Sequence, residues 1–159
     1  VIPFFLSIAE KGELPITDAR MTRFMITLEQ GVELIWTAFD DMVGGEIYVK
    51  KIPSMKITDI ANAVSSEAKQ KTVGIRPGEK LHEQMIGAED AQYTYEYENH
   101  FKILPSLNNW FVDPSRINNG KKVSSDFTYC SDTNSDWMEV EFLRNWIDQN
   151  RTSIGRLYR

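Results

Sequence analysis

The sequence predicts an α/β fold. Helix-like and strand-like patterns alternate along the first half. Gly and Pro punctuate the boundaries. Four Trp, eight Phe and six Tyr supply the bulk for a core. The 159 residues fit one domain, or one lobe of a larger one. Apolar content of 42 % beside 26 % charged residues is ordinary for a globular chain.

The elements come in this order. Pro3 suits the start of a helix over about Pro3–Glu10, ended by Gly12. Leu14-Pro15-Ile16 reads as extended, because Pro restricts the residue before it. Thr27-Leu28-Glu29-Gln30 is a capping box, and the helix behind it should reach about Met42. Leu28, Val32, Ile35, Trp36 and Phe39 keep the helical period, and Gly44-Gly45 stop it. Glu46–Val49 reads as a strand. Ile57, Ile60, Ala61 and Val64 mark another helix, capped near Thr58. Thr72–Ile75 is strand-like, with a short amphipathic helix expected after Glu79. Tyr93, Tyr95 and Tyr97 alternate with polar residues, so a strand should turn at Glu98–His100 into a second one. Pro105–Lys122 reads as loop. A last helix should begin near Ser135–Asp136, with Val140, Leu143, Trp146 and Ile147 on one face. Residues 149–159 read as a polar tail, set apart from the region 1–148 that carries the motifs described below.

Composition excludes several classes of function. A net charge of −5 argues against nucleic acid as main partner. No apolar run approaches the length of a membrane span. The single cysteine, Cys130, has no partner for an internal disulfide, which fits a reducing, cytoplasmic setting. His82-Glu83 opens like a zinc motif, but Ile86 stands where the second His belongs, so no metal site is expected. There is no G-x-G-x-x-G, and no Tyr is followed four residues later by Lys. Neither a dinucleotide loop nor a hydride-transfer Tyr/Lys pair is therefore legible. Val1–Leu6 is apolar, without an initiator Met or basic residues. That reads as a piece of a longer polypeptide rather than a signal peptide.

Two segments carry the functional pattern. In Arg76-Pro77-Gly78-Glu79-Lys80 a guanidinium leaves a strand at a rigid corner, followed by a carboxylate. Guanidinium matches two phosphate oxygens at once, and a carboxylate accepts from adjacent ribose hydroxyls. Any one Arg more often serves a surface ion pair, and Glu79 also reads as a helix N-terminal acid. The second segment, Pro15–Phe24, adds Thr17, Arg20 and Arg23. Together they suggest half of a nucleotide-sugar site. Val1, Ile2, Pro3, Phe4 and Phe5 read as core or as an apolar slot for a base. The tyrosine stripe reads first as core cover.

The strings Pro15–Phe24, Lys51–Asp59, Gly74–Met85 and Ser131–Asn134 resemble the C-terminal part of the inverting UDP-N-acetylglucosamine 4,6-dehydratases. These lyases belong to the extended short-chain dehydrogenase/reductase superfamily. The resemblance covers nearly the whole chain to about Ile147. It departs at Cys130, where the family pattern has Ser. It implies the substrate-binding part of a Rossmann-type enzyme whose NADP-binding half and catalytic residues lie upstream of Val1. Val1, Ile2, Pro3, Phe4 and Phe5 would border the nucleotide, and Thr17 would touch substrate. Arg23 and Arg76 would hold the diphosphate or its neighbours, and Glu79 the ribose. The implied reaction is an internal redox dehydration. C4 of the sugar is oxidised with NADP as hydride carrier, C5 loses a proton, water leaves C6, hydride returns to C6, and C5 is reprotonated with inversion. The implied setting is bacterial polysaccharide biosynthesis, in particular pseudaminic acid and flagellin glycosylation. The full-length enzyme would be a homo-oligomer. A related nucleotide-sugar epimerase or dehydratase/5-epimerase would share the same contacts. A non-catalytic nucleotide-sugar-binding module is the alternative outside enzymes.

Overall fold

The computed structural model describes residues 1–156, with side chains as far as Ile154. In chain order the elements are α1 (Ile2–Ile8), β1 (Glu13–Ile16), β2 (Thr22–Phe24), α2 (Leu28–Asp41), β3 (Ile47–Lys50), β4 (Ser54–Lys56), α3 (Ile57–Val64) and β5 (Lys69–Thr72). Then come β6 (Gln84–Ile86), α4 (Ala88–Ala91), β7 (Thr94–Glu96), β8 (His100–Ile103), α5 (Pro114–Ile117), β9 (Lys121–Lys122), β10 (Tyr129–Cys130) and α6 (Val140–Arg156). The fold is mixed α/β, as the sequence predicts. The chain forms two compact units. The first takes Val1–Met25, Pro53–Glu83 and the stretch from Asn134 onward. The second takes Ile26–Ile52 and Gln84–Thr133.

In the first unit β1 runs parallel to β5, and β2 antiparallel to β4. Their inner faces and α1, α3 and α6 close one core around Phe5, Leu14, Ile16, Met55, Ile60, Leu143 and Ile147. Gly12 ends the first helical stretch at φ 75°, a left-handed position that glycine takes without a Cβ clash. The helix at Ile57 opens from Lys56 without a side-chain cap, rather than near Thr58. The last helix begins at Val140, later than Ser135–Asp136. It does not stop at Gln149: Ile154 is buried one further turn along, which gives the polar stretch an anchor as far as Arg156. The remainder of the expected tail lies outside the described residues.

In the second unit four antiparallel strands lie in the order β3-β8-β7-β9. The tyrosine stripe and His100–Ile103 form the expected hairpin, closed by Tyr97 N–H donating to His100 O at 2.9 Å. Phe101 is the centre, with Phe127 and Tyr129 each 5.1 Å away between ring centroids. Tyr129 Oη donates to Ile52 O and accepts from Ile52 N–H, both at 2.9 Å, so its one hydroxyl satisfies both backbone groups of a buried residue. The capping box on α2 forms in full: Thr27 Oγ1 accepts from Gln30 N–H, and Gln30 Oε1 from Thr27 N–H.

Candidate functional site

The first unit brings the two functional segments together. β1 and β5 are parallel, so both chains leave the same edge: Ile16 pairs with Thr72, and Val73 N–H donates to Ile16 O at 2.9 Å. Thr17 therefore exits beside the loop that carries Arg76. Loops at the C-terminal edge of parallel strands are where α/β folds gather ligand-binding groups.

The loop after β5 is a turn, not the helix expected after Glu79. Glu79 N–H donates to Arg76 O at 3.0 Å, with Pro77 and Gly78 between them and Gly78 at φ 80°. Pro at the second position and a left-handed Gly at the third define a type II turn. Glu79 Oε2 accepts from Arg76 N–H at 3.3 Å, so the carboxylate closes the turn from outside. Residues 80–83 are pulled out of helical geometry by β2. Thr22 N–H donates to Leu81 O at 3.1 Å, and Thr22 Oγ1 shares a 2.7 Å hydrogen bond with His82 Nδ1.

The three arginines have three different fates. Arg20 is exposed and forks onto Asp18, with Nε at 3.0 Å and Nη2 at 2.8 Å from the two carboxylate oxygens. Those bonds, with a backbone bond from Arg20, lower the Asp18 pKa to about 2. Arg23 has its donors turned to the protein. Nη1 reaches Thr22 O at 2.7 Å and Leu81 O at 3.2 Å, and Nη2 reaches Lys80 O at 3.1 Å and Met21 Sδ at 3.0 Å. Nε faces Glu83 Oε1 at 3.4 Å. The guanidinium expected to hold a diphosphate thus clamps the loop behind Arg76. Arg76 itself is exposed, and the described residues give its guanidinium no hydrogen bond or ion pair.

The apolar segment divides. Phe5 is buried in the core, Ile2 and Pro3 are half-buried, and Val1 and Phe4 are exposed. Thr17 and Glu79 are half-buried. His82 serves the Thr22 bond, and among the described residues no group of three His, Cys, Asp or Glu is arranged to hold a metal ion. No described helix is long and apolar enough to cross a membrane. Burial and the neighbouring Asp132 raise the Cys130 pKa, so the thiol stays protonated at neutral pH. Neither G-x-G-x-x-G nor Tyr-x-x-x-Lys occurs in the sequence.

The second unit holds a polar cluster that sequence reasoning missed. Lys102 is 1 % exposed and lies 2.6 Å from Asp41 Oδ2, which also accepts from Tyr48 Oη at 2.6 Å. Burial raises the Asp41 pKa, but the bonds from Lys102, Tyr48 and Asn118 outweigh it and hold the carboxyl below its usual range. Burial and the Asp41 bond push the Tyr48 phenol well above its usual range. The His100 ring stacks on Tyr97 at 4.7 Å, and its Nε2 is buried without a partner. A cavity of about 330 Å³ lies here, lined by Asp41, Lys50, Tyr97, Asn99, His100 and Asn118 among others. Of the residues singled out from the sequence, Tyr97 of the tyrosine stripe lines it, and none of the expected substrate-binding residues does.

Residues 1–105 match the family described as polysaccharide biosynthesis protein. The chain is 50 % identical to an inverting UDP-N-acetylglucosamine 4,6-dehydratase of Campylobacter jejuni, across 93 % of this chain and 46 % of that one. It is 34 % identical to a UDP-glucose 4-epimerase of Rickettsia canadensis, across 65 % of this chain and 32 % of that one. The chain thus spans less than half the length of these curated relatives. Pen from Bacillus thuringiensis, a crystal structure, is 29 % identical and superposes with a TM-score of 0.75 over 95 % of this chain and 44 % of its own. The resemblance read from the motifs is thereby upheld, and the chain belongs to the polysaccharide biosynthesis protein family.

Proposed function

We propose that this chain is the nucleotide-sugar-gripping portion of an inverting UDP-N-acetylglucosamine 4,6-dehydratase. The observation that carries the reading is the join between its two motif segments. Thr17 and the Arg76–Glu79 turn leave one edge of a parallel strand pair, and Arg23 clamps the turn from behind. Of the three arginines, Arg76 alone keeps an unused fork. It holds the diphosphate, Glu79 the ribose hydroxyls, and Thr17 a neighbouring polar group, while Val1–Phe5 border the base through backbone and exposed atoms. Arg23 acts through the loop. NADP, where it is bound, supplies reversible hydride storage, and its binding residues and the catalytic groups lie outside this chain. The chain alone binds without turnover. Its contribution to the rate is orientation of the sugar, which lowers a barrier by positioning. The same reading places the complete, homo-oligomeric enzyme in the cytoplasm, at the start of a route to pseudaminic acid and flagellin glycosylation.

The test is calorimetric titration of the purified chain with UDP, UDP-N-acetylglucosamine and uridine. UDP and its sugar should bind, and uridine far more weakly. Arg76→Ala should weaken UDP by at least about tenfold, the effect of losing a charge-assisted hydrogen bond. Arg20→Ala should leave it unchanged. Absence of UDP binding at millimolar concentration, or equal loss from both substitutions, overturns the reading.

A further inference from the structure

Four features of the second unit meet at one cavity, between α2 and the turn that joins β7 to β8. The first is the cavity itself. Its volume of about 330 Å³ is at the low end of the roughly 300–1,000 Å³ of small-molecule sites and has room for one sugar ring. The second is Asn118 in its wall. Gly120 N–H donates to Ile117 O at 3.0 Å, and Asn118 takes φ 52° with ψ −119°. Those are the angles of the first central residue of a type II′ turn, a position that favours glycine. Strain of this kind collects where a side chain has a task. The Asn118 amide reaches Asp41 Oδ1 at 3.3 Å. The third is His100, also in the wall, whose Nε2 is the one buried side-chain polar atom without a partner among the described residues. Native interiors rarely leave such an atom unbonded. The fourth is the Lys102–Asp41–Tyr48 group, whose acid is held low and whose phenol is pushed high, as at many functional sites.

The wall selects the class of ligand. Its charges are mostly spent within the protein: Asp41 is held by Lys102 at 2.6 Å, and Lys50 by Glu33 at 3.3 Å. Glu98, exposed in the same wall, adds a negative charge that disfavours phosphates and carboxylates. What remains is neutral. The Asn99 and Asn119 side-chain amides have no hydrogen bond among the described residues, and each carries donors beside an acceptor. Thr37 Oγ1 gives its proton to Glu33 O at 2.9 Å and is left to accept. Burial disfavours the His100 cation, so at neutral pH its two nitrogens are one donor and one acceptor. Donors and acceptors side by side, without net charge, suit the adjacent hydroxyls of a sugar. We propose that this cavity binds a single uncharged sugar ring, held by Asn99, Asn118, Asn119, His100 and Thr37. The residues assigned to the nucleotide do not line it. The inference goes beyond the substrate reading and does not depend on it, because a failure of UDP binding leaves the sugar result untouched.

The experiment is an amide-shift titration of the isotope-labelled chain by NMR. The probes are glucose, galactose and N-acetylglucosamine, with inorganic phosphate and putrescine as charged controls. At least one sugar should shift the amides of Tyr97–His100 and Asn118–Gly120 saturably, with a Kd on the order of a millimolar for one ring. Shifts confined to the Thr17 and Arg76 segments overturn the proposal. So does saturable binding of phosphate or putrescine at the cavity without any sugar. No saturable shift with any of the three sugars means that water alone fills the cavity, and also overturns it. Asn118→Gly removes the amide and puts glycine where the turn favours it. It should keep the remaining spectrum, leave the UDP titration unchanged and weaken the sugar at least about threefold, the effect of a lost hydrogen bond. Equal affinity in Asn118→Gly counts against the proposal. A second variant guards against one that does not fold. Asn119→Ala, at an exposed position of the same wall, should weaken the sugar by a similar factor, and an unchanged Kd there overturns the assignment.

Discussion

Asp41→Ala should be among the most costly single changes in the second unit. It removes the carboxylate from a lysine that is 1 % exposed, at the end of a 2.6 Å ion pair. The ammonium would keep two ring faces, Tyr97 at 4.9 Å and Tyr48 at 5.8 Å, and the neighbouring Tyr97 hydroxyl, none of them charged. Breaking a buried pair from one side costs about 3–5 kcal/mol. The Asp41 side chain is 29 % exposed, so water can enter the vacated space and the lower end, about 3 kcal/mol, applies. Lys102→Met leaves a carboxylate that keeps its bonds from Tyr48 and Asn118 and touches water, so it should cost about 1 kcal/mol. The double change Asp41→Leu with Lys102→Met replaces the pair by apolar groups and should cost no more than about 1 kcal/mol. Urea unfolding followed by tryptophan fluorescence reads all three. With a slope of about 1.5–2 kcal/mol per molar, Asp41→Ala should lower the midpoint by roughly 1.5–2 M. A loss below about 1 kcal/mol for Asp41→Ala, or a double variant as unstable as Asp41→Ala, would refute the reasoning that Lys102 depends on this carboxylate.

Arg23→Ala should cost about 2 kcal/mol and speed amide exchange at Thr22 and Glu79, with Arg23→Lys recovering only part, because an ammonium lacks the fork that reaches Lys80 O and Leu81 O together; unchanged exchange would remove Arg23 as the clamp. The Asp18 carboxyl should titrate near pH 2 by NMR and return to the ordinary range in Arg20→Ala. Its folded pKa is depressed, so what it adds to stability is present above its ordinary 3.8 and fades as pH falls through about 2. The His100 ring should protonate below its ordinary 6.5, because burial disfavours the cation. The unfolded chain then takes up that proton first, so stability should fall as pH drops below 6.5, and a His100→Phe variant should lose that slope. Thr27→Ala should cost about 1 kcal/mol in the same urea assay through loss of the capping box.

Local signals made much of this fold legible. The box at Thr27 and Gln30, the glycine stop at Gly12 and the alternating tyrosines each act within a few residues, and each appears where the sequence places it. The helical period of Leu28, Val32, Ile35, Trp36 and Phe39 located α2. Periodicity reports that a helix has an apolar side, however, and not what covers it. The stretch after Glu79 looked helical by composition. Its shape is set instead by hydrogen bonds from Thr22 and Arg23, which lie 57 to 60 residues earlier. The same distance hid the separate roles of the arginines, since Arg23 and Arg76 are alike in sequence and differ only in what their forks already hold. The Lys102–Asp41 pair spans 61 residues and carries no local mark.

The way the chain leaves the first unit has a consequence for how such proteins can change. Its first excursion departs after Met25 and returns at Pro53, and Met25 N–H donates to Pro53 O at 2.8 Å, directly beyond the β2–β4 ladder. Its second departs after Glu83 and returns at Asn134, whose side chain bonds Ser54 Oγ at the start of β4. From the standpoint of Thr17 and Arg76, both excursions are loops with stapled feet, and the cost of a longer loop grows only with the logarithm of its length. Residues 26–52 and 84–133 can therefore be lengthened, shortened or exchanged between relatives while the edge that carries Thr17 and Arg76 keeps its register. Sequence change can accumulate in both excursions without disturbing the pairing of β1 with β5.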